Sequence, residues 1–363
     1  MINFTVGPVQ MDKETRKLGM EQIPYFRTPE FSSLMKDNEK LLCSFFDAPD
    51  NSRAVFMTGS GTASMEACVM NFFTTQDKVL VVNGGSFGHR LVELCKIFEI
   101  PYEEISLEFG KPLTQEHLSK FENKGFTGFL IQLCETSTGI KYDLKLVGDF
   151  CRRNNILLFV DAISGFLADE FSMKDMNVDI AITGSQKALS LPPSLSFIIM
   201  NQKAIDKCCS HKVKSMYFDL QDYLKNGERG QTPFTPAVGT LIQLHEKLNR
   251  INKNGGIKSE NKKYSERAAY FRNKITDSAL PFKMFTALKD SSNCVTALVH
   301  KNPEYNVYKI FEILKDEYNI WICPNGGEMK EKVFRVGHIG SISNNDINKL
   351  ISAFKSLQKR GLL

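Results

Sequence analysis

No apolar run in the 363-residue chain approaches the roughly 20 residues that a membrane span needs. The nine cysteines include no Cys-x-x-Cys pair and no Cys/His cluster with zinc spacing, which excludes the common zinc frameworks. Only Cys208 and Cys209 are adjacent, so the set reads as buried or incidental thiols in a reducing compartment. Basic tracts interleaved with aromatics are missing, and the net charge of +5 is slight for this length. Nucleic acid is therefore not the expected partner. There is no Gly-x-Gly-x-x-Gly, and no Walker lysine follows the turn Gly59-Ser60-Gly61-Thr62, which speaks against a nucleotide-binding module. Residues Met1 to Pro8 carry neither a basic n-region nor a long apolar h-region, so the expectation is a cytoplasmic protein without membrane or metal association.

What is present is an ordinary globular composition, 42% hydrophobic and 24% charged, in a chain long enough for one large domain and a smaller one. From about residue 54 to 200, short apolar runs alternate with amphipathic stretches. This pattern predicts parallel strands with crossover helices in a sheet covered on both faces. The strands are expected at Ala54–Thr58, Lys78–Asn83, Pro101–Ile105, Phe129–Cys134, Ile156–Val160, Ile180–Thr183 and Ser196–Met200. Helices are expected over Met65–Phe73, Phe87–Phe98 and from Asp143 to about Asn154. Beyond residue 240 a long helical stretch, Val238 to Ile275 with a break at Asn254-Gly255-Gly256, leads into an α+β pattern. There, strands are expected at Cys294–His300, Ile320–Cys323 and Val333–Val336, and helices at Tyr305–Tyr318 and Asn344–Lys359. The division is thus residues 16–240 as a large α/β domain and 241–363 as a small α+β domain, with residues 1–15 packing on the small domain or a partner subunit.

Ligands of such sheets sit at the carboxyl ends of the strands. Gly59–Thr62, Phe87, Glu135-Thr136, Asp161 and Lys187 all fall there. Gly59-Ser60-Gly61-Thr62 offers backbone N–H groups, hydroxyls and a helix dipole to a phosphate, or is merely a capped tight turn. Asp161, closing an apolar strand, needs a cation: a protonated pyridine nitrogen, a salt-bridge partner, or the N–H groups it caps. Phe87 either stacks on a ring or fills the core, and Thr136 either bonds a ligand oxygen or closes a turn. Lys187, just past Gly184-Ser185-Gln186, is an ordinary surface lysine unless a desolvated site makes it a nucleophile; with Asp161 and the glycine turn it suggests a lysine holding pyridoxal phosphate as a Schiff base. Arg335 in a strand offers a carboxylate its bidentate fork, or is simply an exposed strand arginine.

Taken in order, seven segments resemble class V pyridoxal-phosphate aminotransferases, the group of alanine–glyoxylate, serine–glyoxylate and 2-aminoethylphosphonate–pyruvate transaminases. They are Thr5-Val6-Gly7-Pro8, Arg27-Thr28-Pro29-Glu30-Phe31, Gly59-Ser60-Gly61-Thr62, Glu135-Thr136-Ser137-Thr138-Gly139, Val160-Asp161-Ala162, Gly184-Ser185-Gln186-Lys187 and Phe334-Arg335-Val336-Gly337. The resemblance implies a fold-type I transferase with a mostly parallel seven-stranded sheet. It implies Lys187 as the Schiff-base residue, Asp161 as the pyridinium partner and Phe87 as the stacking ring. Ser60, Gly61, Thr62 and Gln186 would hold the phosphate, Thr136 the ring oxygen, and Arg335 the substrate carboxylate. Thr235 would reach the phosphate of a second subunit, so the resemblance also implies a homodimer with shared sites. The reaction expected is ping-pong transfer of an amino group between a small amino acid or aminophosphonate and a 2-oxo acid such as glyoxylate or pyruvate. The alternatives are a 2-aminoethylphosphonate–pyruvate transaminase specifically, or a class V lyase or desulfurase, for which Cys294 and Cys323 are the only candidate nucleophiles in the C-terminal third.

Overall fold

The computed structural model describes residues 1–363. Its central sheet has seven strands: β1 (Arg53–Thr58), β2 (Val79–Asn83), β3 (Tyr102–Ser106), β4 (Gly128–Gln132), β5 (Leu157–Asp161), β6 (Ile180–Gly184) and β7 (Leu195–Met200). Their spatial order is β1-β7-β6-β5-β4-β2-β3. β7 is antiparallel to both neighbours and every other pairing is parallel. The carboxyl ends of β1 to β6 therefore share one edge. β4 to β7 are buried along their whole length, as a sheet covered on both faces requires.

Helices α1 (Gly61–Phe72) and α2 (Ser86–Ile97) cover one face, where Val81, Leu130, Phe159 and Ile182 meet Met65, Val69 and Leu91. The other face packs Val82, Ile131, Val160 and Ala181 against Phe150 and, from α3 (Val238–Lys253), Leu241 and Leu244. α4 (Gly256–Thr276) follows a break at which Gly255 and Gly256 take φ of 99° and 67°, a turn that favours glycine.

A second sheet, antiparallel throughout, holds β8 (Phe282–Met284), β9 (Val295–His300), β10 (Cys323–Pro324) and β11 (Val333–Gly337) in the order β8-β9-β11-β10. It packs on α4, α5 (Tyr308–Tyr318) and α6 (Asn344–Lys359) through Phe271, Leu298, Ile310, Phe334, Leu350 and Phe354. Ile2–Asn3 adds a short parallel pairing with Ile320–Trp321, and Gly337 N donates to Phe4 O at 2.7 Å. No helix is long and apolar enough to cross a membrane.

The structure shifts several expected boundaries. α1 starts at Gly61 rather than Met65, because Ser60 lies in the extended N-cap conformation that begins a helix at once. The expected strand Phe129–Cys134 stops at Gln132; Cys134–Glu135 instead pairs antiparallel with Ile140–Lys141 around the Thr136–Gly139 turn. The expected strand Ile320–Cys323 splits, its first half pairing with Ile2–Asn3 and Cys323–Pro324 pairing with β11. β8 and the helix Pro29–Phe45 were not foreseen, β8 being too short to show any periodicity.

Candidate active site

Lys187 follows β6 through a turn locked by Ser185, whose Oγ donates to Pro192 O at 2.6 Å and accepts from Leu195 N at 3.2 Å. Its Nζ donates to Val6 O at 2.6 Å, so the N-terminal segment roofs the lysine. Gly7 sits against it with φ 133°, and a Cβ there would lie 2.7–2.9 Å from Lys187 Cδ, Cε and Nζ. Only glycine fits that contact. Burial is the main force lowering the amine's pKa; Cys294 and Cys323 nearby oppose it, Arg335 assists it, and Asp161 opposes it. A desolvated amine keeps a larger neutral, nucleophilic fraction than an exposed lysine.

Asp161 ends β5 and is buried. Its Oδ1 accepts from Ile163 N at 2.9 Å. Desolvation pushes its pKa up to about 6; the Ile163 N–H opposes this, Glu135 adds to it, and Lys187 and Arg90 oppose it. This carboxylate lacks an adequate positive partner within the chain and would bind one strongly.

β1 passes through Gly59-Ser60 into α1, and no side chain caps that helix, which leaves its first N–H groups available. A Cβ on Gly61 would come 2.3 Å from Ile163 Cδ1, so glycine there leaves that side chain its room. Thr62 Oγ1 accepts from Arg90 Nη1 at 3.0 Å. The same guanidinium lies 4.9 Å from the centroid of Phe87, which is half-buried on α2. Arg90 was missed by sequence reasoning. The available signal was its position one helical turn after Phe87, beside the glycine turn.

The start of α2 is held by Glu135, whose Oε2 accepts from Phe87 N at 3.0 Å and Gly88 N at 2.9 Å. Ser137 also donates to this carboxylate from its N–H and hydroxyl. Burial nevertheless raises the Glu135 pKa, with those donors opposing. Thr136 Oγ1 shares a hydrogen bond with Ser164 Oγ, and Thr136 O accepts from Arg335 Nη1 at 3.1 Å. Arg335, in mid-β11, also donates from Nη2 to Pro324 O at 2.7 Å, so its fork is clamped between the Thr136 turn and β10.

Eight buried side-chain polar atoms lack a partner, and five of them border this edge: Gln132 Nε2 and Oε1, Tyr142 OH, Gln186 Oε1 and Arg335 Nε. Buried polar atoms are normally paired, so their concentration here fits a polar ligand that brings its own donors and acceptors. A free helix N-terminus, a carboxylate short of a cation and a desolvated amine are the complements of a phosphate, a protonated ring nitrogen and an aldehyde. The residues present fit pyridoxal phosphate.

The structure thus brings together Lys187, Asp161, Phe87, Thr136, Gln186, Arg335 and the Ser60–Thr62 turn. Thr235 stands apart, exposed in a loop anchored where Ala237 N donates to Thr58 Oγ1 at 3.1 Å. The two candidate sulfur nucleophiles are held in place: Cys294 is fully buried 3.4 Å from Cys134 Sγ, and Cys323 is half-buried within β10.

A family model described as Aminotransferase class-V matches residues 25–328. The "Soluble hydrogenase 42 kDa subunit" of Anabaena cylindrica is 30% identical over 338 residues, 91% of this chain and 85% of that one. A 2-aminoethylphosphonate–pyruvate transaminase of Bacillus cereus is 26% identical over 354 residues, 96% of each chain. Among solved structures, an alanine–glyoxylate aminotransferase from Nostoc sp. superposes with a TM-score of 0.92 at 25% identity, covering 98% of this chain and 95% of that one.

Proposed function

From the premise that the chain belongs to the class V aminotransferases, and is a pyridoxal-phosphate-dependent transaminase of fold type I, we propose that it transfers the amino group of a small amino acid or aminophosphonate to glyoxylate or pyruvate. The observation that carries this reading is the convergence of Lys187 Nζ, Asp161, Arg335 Nε and the uncapped start of α1 on one edge with its polar atoms unmet.

Pyridoxal phosphate, when bound, supplies an electron-withdrawing ring that stabilises negative charge at the substrate Cα. Lys187 would hold its aldehyde and, once freed by the amino substrate, move a proton between Cα and C4′ from Nζ. Asp161 would keep the ring nitrogen protonated, its own carboxylate being held ionised in that pair. Ser60, Gly61, Thr62 and Gln186 would hold the phosphate, Thr136 the ring oxygen, and Phe87 one face of the ring. Arg335 has both terminal nitrogens committed to carbonyls, so it enters the site rigidly, with Nε still free for a carboxylate oxygen. One such arginine suits a substrate with a single carboxylate. Likeness to the aminoethylphosphonate and alanine–glyoxylate enzymes supports the same small-substrate range.

Domain and assembly readings accompany this one. The cofactor domain runs from residue 16 through α3, whose Leu241 and Leu244 pack on the central sheet, and the small domain follows; residues 1–15 serve both, Ile2–Asn3 pairing with Ile320–Trp321 while Val6 and Val9 join the large-sheet core. A homodimer is supported by the exposed Met20, Ile23, Tyr25 and Met216 and by the Tyr217–Phe234 stack next to Thr235. In such a dimer Thr235 would serve the other subunit's phosphate. Nine free thiols support the cytoplasm as its compartment.

The test is a half-reaction panel. Holoenzyme is mixed with alanine, serine, aspartate, phosphoserine or 2-aminoethylphosphonate, and the cofactor absorbance and the carbonyl product are followed. Conversion by alanine, serine or aminoethylphosphonate, reversed by glyoxylate or pyruvate, supports the proposal. Conversion by aspartate or phosphoserine alone would overturn it.

A further inference from the structure

Gln132 is the last residue of β4, fully buried, and both its amide atoms lack a partner. Such a group is costly unless something meets it. It is in register with Asp161 on the adjacent parallel strand β5, so the two side chains leave the sheet on the same face. Toward the core, the next register pair on that face is apolar, Leu130 and Phe159. On the other flank, the amide of Asn83 at the end of β2 is already spent on Glu104 Oε2 at 2.9 Å. Of the Asp161 oxygens, Oδ1 takes the Ile163 N–H, while Oδ2 takes no hydrogen bond. One unmet amide thus stands beside one under-bonded carboxylate, at the position where a ring cation would dock.

We propose that Gln132 is a positioning residue for Asp161: when a protonated pyridine nitrogen engages the carboxylate, the Gln132 amide donates to its second oxygen and holds it ionised and oriented. The proposal rests on the cofactor reading above. A carboxylate fixed by a ring cation gives the amide a charged acceptor, and such hydrogen bonds are the strong ones. The other groups facing Asp161 are Glu135 from the turn after β4, Cys68 from α1, Arg90 from α2 and Lys187 after β6. Among the uncharged groups there, the Gln132 amide is the stronger donor, the buried Cys68 thiol being a weak one.

The experiment compares the wild type with Gln132→Met, which keeps the side chain's length and removes its polarity. Each protein is titrated from pH 5 to 8 with pyridoxal phosphate and with pyridoxine 5′-phosphate, which has the ring nitrogen but no aldehyde, and cofactor-free melting is recorded. The expected result is a tenfold or larger rise in the dissociation constant of both ligands in Gln132→Met, in line with losing a hydrogen bond to a charged group. The acid limb of binding should move to higher pH, while cofactor-free melting is unchanged or higher. Equal affinity and an unmoved acid limb would overturn the proposal and leave the cofactor reading intact. So would lower melting with unchanged affinity, which would mark the amide as satisfied by buried water. A wild type that binds neither ligand would instead refute the cofactor reading itself.

Discussion

Replacing Asp161 by asparagine should stabilise the cofactor-free protein while disabling the holoenzyme. Burial holds the Asp161 pKa at about 6 against an ordinary 3.8. A carboxyl with a raised native pKa binds more protons folded than unfolded between those values, so its contribution to stability falls as pH rises through that window. A shift of about two units corresponds to a penalty of at most ~3 kcal/mol, fully developed above pH 6 and absent below about pH 4. Asparagine keeps an acceptor for the Ile163 N–H and removes the charge. The assay is urea denaturation of both cofactor-free proteins at pH 4 and pH 7.5, read as the difference between them so that other carboxyls cancel. Asp161→Asn should be the more stable at pH 7.5 by ~1–3 kcal/mol, and near parity at pH 4. Adding pyridoxal phosphate should reverse the order at pH 7.5, because only the aspartate gains from the ring cation. A variant less stable than wild type at pH 7.5, or a gap that does not change with pH, would refute the reasoning.

Other perturbations test neighbouring parts of the site. Gly7→Ala places a methyl within 3 Å of Lys187 at a φ of 133°; thermal melting should report a loss of ~1–3 kcal/mol, and turnover should fall more than substrate affinity. Arg90→Ala removes the cation shared by Thr62 and Phe87, and cofactor titration should show affinity weakened roughly tenfold or more. Glu135→Ala strands the buried N–H groups of Phe87 and Gly88, costing ~1–3 kcal/mol in denaturation and loosening the start of α2 in hydrogen exchange. Arg335→Lys retains the charge but not the clamped fork; steady-state kinetics should show KM for the 2-oxo acid rising at least tenfold.

The large sheet was legible because its strands are short, apolar and separated by amphipathic helices, and the site followed because such sheets gather ligands at one edge. Lys187, Asp161 and the glycine turn could be named from their positions at strand ends. The features that define the site's electrostatics could not. Glu135 was seen as part of a motif, yet its work is to cap α2, a helix 48 residues away from it in sequence. Arg90 and Gln132 carry no motif: one acts by reaching from α2 to α1, the other through strand register with Asp161. Gly7 illustrates the same limit, since its contact with Lys187 spans nearly half the chain and depends on how residues 1–9 lie over both sheets. β4's early end at Gln132 was hidden by the apolar Leu133 and Cys134, which continue the hydrophobic run after the sheet ladder has stopped.

Covalent capture at Lys187 tests the whole account most directly. Purified protein is saturated with pyridoxal phosphate, reduced with borohydride, digested and mapped by mass spectrometry. The account predicts one stable phosphopyridoxyl adduct per chain, on Lys187, lost in Lys187→Ala together with turnover. An adduct spread over surface lysines, or full turnover in that variant, would contradict it.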